Sequence, residues 1–244
     1  MNTRRIVRVT GTLMLAAGIA VLVWVLVVWR WQDPFTAVYT TWKQHQLSRS
    51  YEQRAEDFSA PTFRTTASNG VTAAQIRATA RRYRLESKRG QAVGRLRVPR
   101  LGLDMVVVEG TDDASLKKGP GRDRRTYMPG EGQLIYIAGH RTTYLAPFAH
   151  IERMKAGDPI TLEVPYGTFR YRVIRHRIVG ADDLAVLHSH GREIVVLQAC
   201  HPRFFASHRY LVYARLMQID PHGAPPIRAP SRTLAAAPLA SAQG

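Results

Sequence analysis

Two runs, Glu193-Ile194-Val195-Val196-Leu197-Gln198-Ala199 and Arg209-Tyr210-Leu211-Val212-Tyr213-Ala214-Arg215-Leu216-Met217, flank an interruption that opens Cys200-His201-Pro202. Both are rich in β-branched and aromatic residues, and the proline marks a loop, so they read as two strands. Working outward, the same texture recurs at Gly94–Val98, Met105–Glu109, Gln133–Ala138, Ile160–Val164 and Phe169–Val179. Gly/Pro clusters such as Lys118-Gly119-Pro120-Gly121 and Pro129-Gly130-Glu131-Gly132 separate them. Seven or eight short strands in about 125 residues predict a mainly β barrel or sandwich rather than a βαβ fold.

The whole chain has 244 residues, 45% of them hydrophobic, which is enough for a core and excludes wholesale disorder. A single cysteine excludes an internal disulfide and a four-cysteine zinc site. The net charge of +17 invites a nucleic-acid reading. Fourteen of the 35 basic residues precede residue 91, however, partly outside the β-rich region, and no nucleic-acid motif is present. Nucleic acid is therefore not an expected partner.

The N-terminus sets the compartment. Val9 to Trp29 is free of charge and dominated by Leu, Val, Ala, Ile and Trp. As a helix it spans about 31 Å, close to the hydrocarbon thickness of a bilayer. Arg4, Arg5 and Arg8 precede it, which predicts residues 1–8 in the cytoplasm and the rest outside. Trp24, Trp29 and Trp31 suit the outer interface. A cleaved signal peptide has a shorter apolar core and a small-residue cleavage site, whereas this run ends in bulky Val-Val-Trp-Arg-Trp. The segment 9–29 is thus read as an uncleaved single-pass anchor in the plasma membrane, with the lipid bilayer as a partner.

Residues 30–90 read as an extracellular helical and linker segment. Phe35, Val38, Tyr39, Trp42 and Leu47 have near-helical spacing, 59–71 is a polar linker, and 72–89 is a basic helix read as a solvated face. The β-rich unit covers 91–220, and the Pro/Ala-rich tail 221–244 is expected to be disordered.

Cys200 ends one apolar strand, His140 follows another (Leu134-Ile135-Tyr136-Ile137-Ala138-Gly139), and Arg209 begins the next strand after Cys200. Three strand-terminal residues of these types meeting at one rim would make an acyl-transfer site. The thiolate is the reactive form of cysteine, and basic neighbours favour it. A lone buried structural cysteine is the bland alternative, and the company of His140 and Arg209 weighs against it.

At these residues the sequence resembles the sortase family, most closely the class E sortases of high-GC Gram-positive bacteria. The resemblance covers roughly residues 90–218. It rests on Gly139-His140-Arg141-Thr142-Thr143-Tyr144, Ala146-Pro147-Phe148, Ala156-Gly157-Asp158, Leu197-Gln198-Ala199-Cys200-His201-Pro202-Arg203 and Arg209 in its strand. It implies an eight-stranded closed β-barrel with short helices. It also implies a cysteine transpeptidase, of thiol-protease-like hydrolase chemistry, that cleaves a C-terminal sorting signal between Thr and Gly. Cys200 is then the nucleophile, His140 the acid and base, and Arg209 the oxyanion or backbone donor. The implied partners are surface proteins bearing LAXTG- or LPXTG-like signals and an amine of a cell-wall precursor or pilin. Tyr144, Ala199 and His201 are the implied substrate-binding residues, and no cofactor is implied.

The chain departs from the family's Thr-Leu-x-Thr-Cys signature, carrying Val196 and Ala199 where the threonines stand. That departure keeps a degenerate, non-catalytic wall-peptide-binding barrel open as an alternative, beside a hydrolytic membrane-anchored cysteine peptidase. His188 and His190 alternate as metal ligands do, but no further ligand stands near them. The pairs Asp112-Asp113 and Asp182-Asp183 lack the extra oxygens of a calcium loop, and no metal is expected.

Overall fold

The computed structural model describes residues 3–31, 34–58 and 73–229. The expected linker 59–71 and the tail beyond residue 229 lie outside the described residues, as do the side chains of 27–35, on which the interfacial reading of Trp29 and Trp31 rests. Helix α1 (Thr3–Trp31) holds one stretch, Arg4–Leu26, long and apolar enough to cross a membrane, and none of it is buried against the protein.

The nine strands among the described residues are β1 (Ala92–Val98), β2 (Leu103–Glu109), β3 (Gly121–Arg122), β4 (Leu134–Ala138), β5 (Pro159–Val164), β6 (Gly167–Gly180), β7 (Ile194–His201), β8 (His208–Pro221) and β9 (Ile227–Arg228). Their order is β6-β5-β1-β2-β3-β4-β7-β8-β9, and β6 also pairs with β8. That pairing closes eight strands into a mixed barrel and leaves β9 as a ribbon against Gln218 and Ile219 of β8. All seven strands expected from sequence are present, five with wider bounds, β4 starting one residue later than expected and β7 shifted to Ile194–His201. The first residues of the expected disordered tail are corrected. Ile227–Arg228 pairs with β8, because that strand runs beyond Ile194, the start of β7, and leaves an edge to cover.

Period-two alternation builds the wall. In β6, Phe169, Tyr171 and Val173 point inward while Arg170, Arg172 and Ile174 face solvent. β4 and β7 pair in parallel and read as continuous apolar runs, because both of their faces are covered. Ile135, Ile137, Val195, Leu197 and Ala199 enter the central core. Leu134, Tyr136 and Val196 pack with Leu211 and Tyr213 on the outer face, under Leu116, Val186 and Leu187.

Two helices complete the body. Helix α3 (Ala73–Glu86) is not the fully solvated helix expected from its charge. Ile76, Ala80 and Tyr83 are buried, and Tyr83 packs edge-on to Phe58 at 4.9 Å and to Tyr166 at 5.8 Å. The arginines occupy the other face, so a basic composition concealed an apolar stripe. This helix closes the barrel end where β4 and β7 begin. Gly130 has φ +95°, and a Cβ there would stand 2.6 Å from Ile76.

Helix α2 (Pro34–Asp57) lies along the barrel, with Leu47 and Tyr51 packed on Ala92, Val106 and Val108. The Gln44 amide acts as a piece of strand. Its Oε1 accepts from the Val106 N–H at 2.8 Å, and its Nε2 donates to the carbonyls of Val106 (3.1 Å) and Lys118 (2.7 Å). It satisfies backbone of β2 where the short β3 has not yet begun.

Candidate active site

β4 and β7 run parallel and finish at the same end of the barrel, where β8 begins. The ladder continues one residue past β4, with the Gly139 N–H donating to the Gln198 carbonyl at 3.0 Å. His140 therefore stands level with Cys200 on the neighbouring strand. Across the other edge of β7, Cys200 is the direct register partner of Arg209.

These three side chains line one cavity of about 310 Å³ on the outer wall of the barrel. Its floor is the outer face of the sheet (Tyr136, Ala138, Gln198), and Leu184, Val186 and Leu187 form one side. Leu116 of the short helix α4 (Asp113–Leu116) and the paired Asp123 and Arg125 complete the lining. The sequence placed the three candidates at a rim; the alternation of the strands adds that they face outward from the wall, not into the lumen.

The Gly139-His140 pair and the following Pro147-Phe148 form one packing unit. A Cβ on Gly139 would meet the Phe148 ring at 2.7 Å, and Phe148 is wholly buried with its N–H donating to the His140 carbonyl at 3.1 Å. The loop is thereby folded back beneath the histidine. His140 is half-buried, and its Nε2 is shielded from solvent without a hydrogen-bond partner among the described residues. Burial pushes its pKa below the ordinary histidine value; Asp113 opposes this and Lys117 adds to it.

Arg209 is tethered by one arm of its fork, Nη1 donating to the carbonyls of Ala206 (2.7 Å) and His208 (3.0 Å). A neighbouring arginine not singled out from sequence stands behind Cys200. Buried Arg141 donates from Nη1 to the Cys200 carbonyl at 3.1 Å and contacts His201 Nδ1 at 3.0 Å, while Nη2 donates to Glu152 at 2.8 Å. It follows His140 in sequence, so it bolts the His140 loop to the end of β7. Asp158 of the Ala-Gly-Asp motif pairs with Arg100 at 2.8 and 2.9 Å and tethers a remote turn.

The three expected substrate-binding residues are not in the cavity lining. Ala199 is a correction. It is fully buried in the central core, because residues 198 and 200 take the cavity face and 199 must take the other. His201 is likewise directed away, against Arg141 and the Tyr210 ring at 5.8 Å. Tyr144 packs on the His140 ring at 5.1 Å and buttresses it from outside the cavity.

A family model described as the Sortase domain matches residues 96–217. Sortase D of Bacillus subtilis (strain 168) is 34% identical over 130 residues, covering 52% of this chain and 64% of that protein. Sortase SrtE1 of Streptomyces coelicolor is 24% identical over 148 residues, covering 54% of this chain and 42% of that protein. The chain thus spans less than two thirds of either curated relative. The solved structure of a Clostridium perfringens Sortase D5 transpeptidase superposes with a TM-score of 0.54 at 23% identity, over 70% of this chain and 98% of that one, a likeness of fold.

Proposed function

The chain belongs to the sortase family, and from that premise we propose that it is a membrane-anchored cysteine transpeptidase acting on sorting-signal peptides. The observation that carries this reading is the convergence of His140, Cys200 and Arg209 on one cavity. The Cys200 thiolate attacks the carbonyl carbon of the Thr–Gly bond, and its electron pair forms the new C–S bond. Arg209 donates to the oxyanion that develops, a task for which its planar fork is suited. As the tetrahedral species collapses, the C–N bond breaks and His140, as imidazolium, gives its proton to the departing Gly amine. An acceptor amine, the wall-precursor or pilin amine of this reading, then attacks the thioester with neutral His140 taking its proton, and Cys200 leaves as thiolate.

The greater identity to a Sortase D than to SrtE1 supports the family without placing the chain in class E, so the signal is read broadly as Leu-Pro/Ala-x-Thr-Gly. The domain organisation follows the same reading: an anchor at 9–29 with residues 1–8 cytoplasmic, and a catalytic body outside. That body takes in α3 as well as residues 91–220, because α3 contributes to the core.

The test is product analysis of a signal peptide incubated with the full chain, with and without an added amine. Transfer of the Thr-terminated fragment to the amine is the expected result. Hydrolysis alone at every amine concentration would make the protein a peptidase, and an uncleaved peptide would favour a binding barrel.

A further inference from the structure

We propose that the barrel end carrying His140 and Cys200 rests on the bilayer surface, with Phe204 and Phe205 entering the lipid interface. This rests on the reading of 9–29 as a membrane span.

A short connection ties the span to this end of the barrel. The start of α2 is fixed to the active-site end of the barrel. The Tyr144 N–H donates to Thr36 Oγ1 at 3.0 Å, Tyr39 meets the Tyr144 ring edge-on at 6.5 Å, and Thr40 Oγ1 donates to the Lys117 carbonyl at 3.1 Å. The Gln44 bonds hold the next turn. Thr36 is seven residues beyond Trp29, the last residue of the span. Even a fully extended connection of that length reaches no more than about 25 Å. The helix continues to Trp31, which shortens the reach further. The His140 loop, one hydrogen bond from Thr36, is held close to the membrane face.

The same end of the barrel carries an exposed apolar pair. Phe204 and Phe205, in the loop joining β7 to β8, are 70% and 82% exposed. Neither lines the catalytic cavity, so a peptide bound there would leave them uncovered. Phe204 has φ +72° and Ala206 φ +54°, a backbone that non-glycine residues seldom adopt. Two large aromatic side chains left open to water in this way mark a contact surface.

The surroundings of this pair are chemically complementary to a lipid interface. Arg203 adjoins the phenylalanines, and on the free side of α2 the exposed Trp42 carries the Lys43 ammonium 4.3 Å from its ring centre. Apolar and aromatic side chains interleaved with cations match the boundary between acyl chains and phosphate headgroups. A site held there meets peptides presented at the membrane surface.

The test uses the full chain in phosphatidylglycerol/phosphatidylethanolamine vesicles whose acyl chains carry bromine. A bimane dye is placed by Phe205→Cys in a Cys200→Ala background. The control is Arg192→Cys in the same background. Residue 192 is exposed and lies just before β7, a strand length of about 25 Å from the rim. Flotation with the vesicles and quenching several-fold stronger at 205 than at 192 is expected. Flotation with equally weak quenching at both positions would overturn this proposal and leave the anchor standing. Failure to float would overturn the anchor reading and this proposal together, without touching the catalytic one.

Discussion

Cys200 and Arg209 are direct partners across the antiparallel β7–β8 ladder, one pair before the connecting loop. Directly opposed residues hold their Cβ atoms about 4.5–5.5 Å apart and extend from the same face of the sheet. The Cys200 thiol and the guanidinium are thus set side by side by strand register, and the only freedom left to Arg209 is along its own side chain. Replacing Arg209 by Lys keeps the charge but loses the fork. Acylation should slow by ~10²–10³-fold, about 2.7–4 kcal/mol, with the loss in turnover rather than in substrate binding. Single-turnover kinetics on the Lys variant that match the wild type would reduce Arg209 to a surface charge.

Arg141 gives a different kind of test, because it touches the Cys200 carbonyl and not the cavity. Arg141→Met leaves that carbonyl, His201 Nδ1 and Glu152 short of a donor. The unmet hydrogen bonds should cost about 1–3 kcal/mol of stability, read as a lower urea midpoint, and turnover should fall with it. An Arg141→Met protein as stable and active as the parent would show the clamp to be idle.

Seven strands, and the placing of Cys200, His140 and Arg209 at one rim, were legible in the sequence because alternation, turn residues and ordered motifs all report locally. β3 escaped because two residues, Gly121–Arg122, inside a Gly/Pro cluster carry no period to read. The buried stripe of α3 was masked by its arginines, which occupy only the solvent side. Ala199 was assigned to substrate by motif position alone, although strand alternation at Gln198-Ala199-Cys200 already implied opposite faces. Arg141 had no sequence signal beyond standing next to His140, since its partners Cys200 and Glu152 are remote in the chain.

Acid should weaken the fold through His140. Its pKa is below the ordinary value when folded, so the unfolded chain binds more protons in the interval between the two. The stabilisation is full above the unfolded pKa and is lost as pH falls through it toward the folded one. Melting temperature should therefore drop on acidification from about pH 7 to 5, and His140→Gln should flatten the slope. His176 and His201, also held low by burial, would supply what remains. An unchanged slope in the Gln variant would contradict the lowered pKa of the ring.

The docking of α2 is open to a direct stability measurement. Gln44→Ala leaves the Val106 N–H without its acceptor, a loss of about 1–3 kcal/mol. Urea denaturation of the full chain should show a lower midpoint at unchanged slope. A midpoint equal to that of the parent would mean that α2 contributes nothing through this residue.

The central claim is that Cys200 becomes acylated, and intact-mass spectrometry reads it most directly. The full chain is mixed with a Leu-Pro-x-Thr-Gly peptide and quenched in acid before the amine arrives. A mass increase equal to the free acid of the peptide fragment ending at Thr, less one water, is expected, with no increase in Cys200→Ala. Release of the Gly-terminated fragment with no adduct, or an adduct that persists in Cys200→Ala, would contradict it.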